Sequence, residues 1–194
     1  MTYLVFPRLR MRLSLLALPA AMVMLWLEGW QAFSIIALSA LLHELGHIAA
    51  IYACGYRVRR VDVLPMGAII ALPEGIPDRI EAIIALSGPA ASCLCGVVSL
   101  ALFLLSRSPF ALLGVVINLS LGLFNLLPVR KLDGGKALCC ILRYKNIKSA
   151  DRISACASYA ALMIFVFVAS LCVVLSGNNL GVLLLSAALI LQLA

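Results

Sequence analysis

Phe33-Ser34-Ile35-Ile36-Ala37-Leu38-Ser39-Ala40-Leu41-Leu42-His43-Glu44-Leu45-Gly46-His47-Ile48-Ala49-Ala50-Ile51-Tyr52-Ala53-Cys54 is long and apolar enough to cross a bilayer as a helix, except for three polar residues in its middle. His43 lies eleven positions before Cys54, or ~16 Å along a helix axis. Ionisable side chains at such depth are costly and are retained for function. These are also the chain's only two histidines. Residues i and i+4 share a helical face, so both imidazoles can reach one metal ion. Glu44 projects about 100° round from His43, where it can take a proton from a bound water. The pattern is His-Glu-x-x-His on a helix.

The rest of the chain has the same solvent requirement. Of 194 residues, 64% are hydrophobic and only 12% charged, with a mean hydropathy of +1.14. Soluble domains average about 45–50% apolar and about 25% charged. That composition excludes a soluble enzyme and intrinsic disorder, and predicts an all-α polytopic membrane protein. Six spans are expected, at about 13–27, 33–54, 80–106, 109–128, 153–176 and 180–194, within a single domain covering 1–194. Glu28-Gly29-Trp30-Gln31 is the tight connection between the first two. A signal-peptide reading of the first run is disfavoured, because apolar character continues to Leu27 beyond the ~7–15 residues of a cleavable core.

The formal charge is +7, and the cations are unevenly placed. Arg8, Arg10 and Arg12 precede the first span, and Arg57, Arg59 and Arg60 follow the second. Seven Lys and Arg lie between Arg130 and Arg152. Basic loops stay cytoplasmic, so both termini are expected inside a cell membrane. The cations are read as topology and lipid-headgroup contact, with no nucleic-acid partner. The seven cysteines sit in apolar runs or a basic segment without zinc-finger spacing, and read as small buried hydrophobes.

Val61 to Pro73 is apolar but interrupted by Pro65, Gly67 and Pro73. It is too short to span and suits a short membrane-embedded β-hairpin or re-entrant loop. A catalytic zinc keeps three protein ligands plus water. With no further histidine, the third must be a carboxylate or thiolate, from Glu28, Asp62, Glu74, Asp78, Glu81, Asp133 or, among thiols, Cys93 and Cys95. Asp133 stands apart, in Asn125-Leu-Leu-Pro128-Val-Arg-Lys-Leu132-Asp133-Gly134-Gly135, where a span breaks at Pro128 and two glycines follow the acid.

His43-Glu44-x-x-His47 within a span, followed by Asn125-x-x-Pro128-x-x-x-Leu132-Asp133-Gly134-Gly135, resembles the site-2 protease family of intramembrane zinc metalloproteases, peptidase family M50. The six-span layout is similar to the branch containing stage IV sporulation protein FB, and Ser87-Gly88-Pro89 resembles the family's Gly-Pro in the third span. The resemblance implies one Zn2+ held by His43, His47 and Asp133, with Glu44 as general base. It implies a substrate-guiding hairpin around Gly67; Asn125, with amide donors and an acceptor, and Pro128 at the break in the span are expected to hold the substrate backbone. The expected substrate is a membrane-tethered protein cut in or near its transmembrane segment, as in regulated release of a pro-sigma factor or another membrane-held regulator. Membrane regulatory partners and an oligomer are compatible with the family. Members of the sporulation branch carry a cystathionine-β-synthase-type (CBS) domain after the last span and other branches insert a PDZ domain; neither is expected within residues 1–194. Two other readings use the same residues: a metal-ion transporter, disfavoured because neither motif is repeated, and a catalytically silent relative that binds membrane partners, disfavoured because the presumed ligands and Glu44 are all present.

Overall fold

The computed structural model describes residues 3–6, 11–15, 17–64 and 67–176; the expected sixth span lies outside them. The chain divides after Phe124 into two compact units.

The first unit joins a small sheet to three helices. β1 (Tyr3–Phe6), β2 (Met11–Ser14), β3 (Arg60–Leu64) and β4 (Gly67–Ala71) form one sheet in that order. β1 and β2 pair antiparallel, β2 and β3 parallel, and β3 and β4 antiparallel with Asp62 opposite Ile69. The interrupted stretch is thus a β-hairpin. The first two strands depart from the all-α expectation, and Leu13 and Ser14, expected within the first span, are strand residues.

Between β2 and β3 runs α1 (Ala17–Ala53), 37 residues with one non-helical residue, Gly29, at φ 78° and ψ 164°. A straight helix of that length would separate its ends by ~55 Å. Yet the strands entering and leaving it are neighbours, with Met11 opposite Val61. The short links from Ser14 to Ala17 and from Ala53 to Arg60 cannot close that gap, so α1 folds back at Gly29. Glycine tolerates that positive φ without the penalty a Cβ brings. The arm before the break, Ala17 to Glu28, is ~18 Å long, short of the ~30 Å hydrocarbon core of a bilayer. Trp26 and Trp30 flank the break and are exposed, as aromatic residues are at a membrane–water boundary.

α2 (Asp78–Ser106) packs on α1, and α3 (Pro109–Asn125) follows a left-handed Arg107 that caps α2. In the second unit, α4 (Asp133–Tyr144) packs on α5 (Ala150–Ser176). Three helical stretches, Ala21–Ala53, Asp78–Ser106 and Ala150–Val168, are long and apolar enough to cross a membrane.

Burial is inverted relative to a soluble protein. Among the described residues, ten hydrophobic side chains are buried against nine polar ones, including Ser39, His43, His47, Ser92, Asn118, Ser154 and Ser158. Large apolar groups such as Leu105 and Met163 face outward. Lipid solvates that outer surface, so helix contact comes from small residues and polar groups. At Gly46 an added Cβ would lie 2.6 Å from Ala91 Cβ and 2.8 Å from the Ser87 carbonyl, which measures how closely α1 and α2 approach.

Candidate metal centre

His43 and His47 lie one turn apart on the second arm of α1, both buried, at 4% and 8% exposure. Their rings meet edge to face with centroids 5.0 Å apart. Each ring is held through Nδ1 by α2. His47 Nδ1 lies 2.8 Å from the Ile84 carbonyl, and His43 Nδ1 lies 2.8 Å from Ser92 Oγ. A carbonyl only accepts, so His47 Nδ1 carries a proton, which in the neutral imidazole leaves the lone pair on Nε2. That is the tautomer a metal requires of an Nε2 ligand. Pro89 removes one rung of the α2 ladder, and Ile84 in the turn before it also accepts the Ser87 hydroxyl at 2.6 Å. Glu44, next to His43 on the same turn, is half-buried.

Gly88 makes room for this arrangement. A Cβ there would collide with His47 at Nε2, and at Cε1 and Cδ2 would lie within 2.5 Å and 2.8 Å. The Gly-Pro pair noted in the sequence therefore has a physical reason, clearance over the Nε2 edge of the imidazole. Gly88→Ala is expected to turn the His47 ring away from Ile84 and weaken metal binding ~10-fold or more, the effect of misorienting a ligand. The clash is with a side chain, so α1 and α2 stay folded. Chelator competition and thermal unfolding on the same preparation separate the two.

In the second unit, Asp133 opens α4 and is buried, at 7% exposure. Its place in the first turn puts a carboxylate where the helix dipole favours negative charge, by ~0.3–1 kcal/mol at exposed sites. Lys136 Nζ approaches it to 3.5 Å from a half-exposed position. The glycine pair after Asp133 packs on the preceding segment. A Cβ on Gly134 would run into the Leu126 carbonyl, and one on Gly135 into the Val129 carbonyl. Here the obstacle is backbone, which cannot rotate aside. Gly135→Ala is expected to destabilise the fold by ~1–3 kcal/mol or more, seen as a lower unfolding temperature before any metal is added. Pro128 is pinned as well, its carbonyl accepting the fully buried Ser158 hydroxyl at 2.8 Å.

The remaining sequence candidates have other settings. Asn125 is the last residue of α3 and half-buried, and Gly67 opens β4 opposite Leu64. Asp62 and Glu74 are each paired with an arginine, Arg60 at 2.8 Å and Arg59 at 3.1 Å. Cys93 and Cys95 are free thiols on α2. On α4, burial and a hydrogen bond to the Asp151 carboxylate push the Cys139 thiol above its ordinary range. The sequence reading missed Ser92 and the Ile84 carbonyl, since neither has a signature beyond an apolar helix.

Zinc metalloprotease MJ0392 of Methanocaldococcus jannaschii is 32% identical over 142 residues, covering 70% of this chain and 42% of that protein. Stage IV sporulation protein FB of Bacillus subtilis is 34% identical over 110 residues, covering 52% of this chain and 36% of that one. The chain thus spans less than half the length of these curated relatives. The solved structure of the site-2 protease from Methanocaldococcus jannaschii shares the fold, with a TM-score of 0.64 at 23% identity over 97% of this chain and 92% of that one. The profile of peptidase family M50 matches residues 31–108 and 104–169, spanning the histidine pair on α1 and Asp133 on α4, and the chain belongs to that family.

Proposed function

We propose that this chain is an intramembrane zinc metalloprotease that hydrolyses a peptide bond in or near the transmembrane segment of a membrane-tethered protein. The observation that carries the reading is the buried His43–His47 pair, each imidazole held at Nδ1 by α2. Two imidazoles and one carboxylate are the donor set of a catalytic zinc with a position left for water, so the residues present fit the ion. His43, His47 and Asp133 are its proposed ligands. When bound, zinc acidifies a water and polarises the scissile carbonyl. Glu44 takes the water's proton and passes it to the leaving amine.

A peptide bond inside a transmembrane helix is shielded by its own hydrogen bonds, so the substrate must unwind locally. β4 is an edge of the sheet, and pairing with it would satisfy the freed backbone groups. Asn125 offers further amide donors and an acceptor, while Gly67 and Pro128 shape the path of the substrate backbone. The class of substrate is a membrane-held regulator, a pro-sigma factor being one example.

The direct test is co-expression with tethered candidate substrates, scoring cleavage by the wild-type chain against Glu44→Gln. Cleavage that persists in Glu44→Gln would exclude this protein as the source.

We further infer six spans with both termini in the cytoplasm, the ~18 Å arm before Gly29 crossing where the bilayer thins to match it. Reporter fusions after Arg60 and Arg152 are expected to read cytoplasmic and a fusion at Gln31 external, because α1 folds back at Gly29. A cytoplasmic signal at Gln31 would mean that the arm before Gly29 never crosses.

A further inference from the structure

The two histidines are held by different chemistry. His47 hydrogen-bonds a backbone carbonyl, which only accepts and fixes the tautomer regardless of side chains. His43 hydrogen-bonds the Ser92 hydroxyl, which can donate or accept. Only the accepting arrangement leaves the lone pair of His43 on Nε2.

Ser92 is completely buried on α2. From the other side α3 seals it: a Cβ on Gly122 would lie 3.3 Å from Ser92 Cβ and 3.2 Å from Cys93 Sγ. The hydroxyl sits between α1 and α3, in the same first unit as His43. A site so closed has no room for a substitute water without rearrangement. Removing the hydroxyl takes this hydrogen bond from His43 Nδ1 and lets the ring adopt the other tautomer, which presents a proton where a ligand lone pair is needed.

We propose that Ser92 is a positioning residue of the metal centre: its hydroxyl accepts from His43 Nδ1–H and holds that imidazole as an Nε2 ligand. Ser92 touches neither substrate nor metal and acts through His43 alone. A hydroxyl is a weaker acceptor than a carboxylate, so His43 is oriented without the added basicity a carboxylate partner would give. The inference rests on the zinc protease reading and concerns this one hydrogen bond within it.

The experiment is zinc competition with a calibrated chelator on the full chain in detergent, with thermal unfolding of the metal-free protein in parallel. Ser92→Ala is expected to weaken zinc binding by ~10–100-fold, with the metal-free form still folded and its unfolding temperature lowered only by the loss of one buried hydrogen bond. Ser92→Thr, which restores a hydroxyl but adds a methyl to a fully buried site, is expected to bind zinc more tightly than Ser92→Ala. Ser92→Cys, close in size but a weak acceptor, should fall between. Imidazole nitrogen resonances of the zinc-bound wild type should place a proton on Nδ1 of both histidines. Wild-type affinity in Ser92→Ala would overturn the proposal. So would equal losses in Ser92→Ala and Ser92→Thr, since packing rather than the hydroxyl would then matter. If Ser92→Ala does not fold, the comparison of Ser92→Thr with Ser92→Cys decides, and equal affinities there reject it. A wild-type chain that binds no zinc would instead overturn the protease reading itself.

Discussion

Glu44→Gln is expected to lower peptide-bond cleavage by ~10²–10⁴-fold, the range of a positioned general base, while the protein keeps about one zinc per chain, since three protein ligands remain. At 25 °C that loss corresponds to ~2.7–5.5 kcal/mol of barrier height. The expectation follows from position. Glu44 shares a helical turn with both imidazoles and is half-buried. Glutamine keeps the size and hydrogen-bonding reach of glutamate but cannot accept the proton. Cleavage of a tethered reporter and elemental analysis of the same purified chain are the two measurements. Normal turnover would end the proposed role. Loss of zinc would show that Glu44 is itself a ligand.

Much of the fold was legible because lipid imposes strong constraints on sequence. Apolar runs of about 20 residues, and prolines and glycines where a run must break, leave few arrangements open. The hairpin at Arg60–Ala71 could be read from Val-x-Val alternation and Gly67. β1 and β2 were not read, though Tyr3-Leu4-Val5-Phe6 is rich in strand-forming residues and Arg8, Arg10 and Arg12 alternate with apolar ones. Alternating cations carry two signals at once, topology and strand period, and the charge was given precedence. What fixes β2 is its parallel pairing with β3, some fifty residues away in sequence. No local pattern reports such a partner.

The site divides in the same way. His43, Glu44 and His47 are legible because the helical period brings them together without help from the rest of the fold. Asp133 is legible because a helix start after a broken segment, followed by two glycines, is locally unusual. The glycines answer to backbone contacts at Leu126 and Val129, a few residues upstream. Ser92 is a different case. One serine in an apolar helix has no distinguishing mark, and its role depends on an interaction 49 residues away. Gly88 lies between these extremes: the Gly-Pro motif flagged it, but only the position of the His47 ring explains it.

Asp133→Asn is expected to abolish activity and to weaken zinc binding by more than the ~10–100-fold typical of losing a group that merely orients a ligand. Asparagine preserves size and the packing of the α4 start, so the change isolates charge. The carboxylate lies at a helix N-terminus, on a segment held by the contacts of Gly134 and Gly135. A rigid backbone of this kind delivers a ligand without entropy lost on ordering it. A competing account is that Asp133 exists only to pair with Lys136 at 3.5 Å. That pair includes a half-exposed lysine, and such pairs contribute ~0–1 kcal/mol, too little to explain loss of a metal. Lys136→Gln separates the accounts: zinc content is expected to survive it and to be lost in Asp133→Asn. His43→Ala and His47→Ala should match the aspartate variant, since each removes one of three ligands. If Asp133→Asn retains full occupancy by elemental analysis, the third ligand lies elsewhere, and Cys93 and Cys95 on α2 become the residues to substitute next.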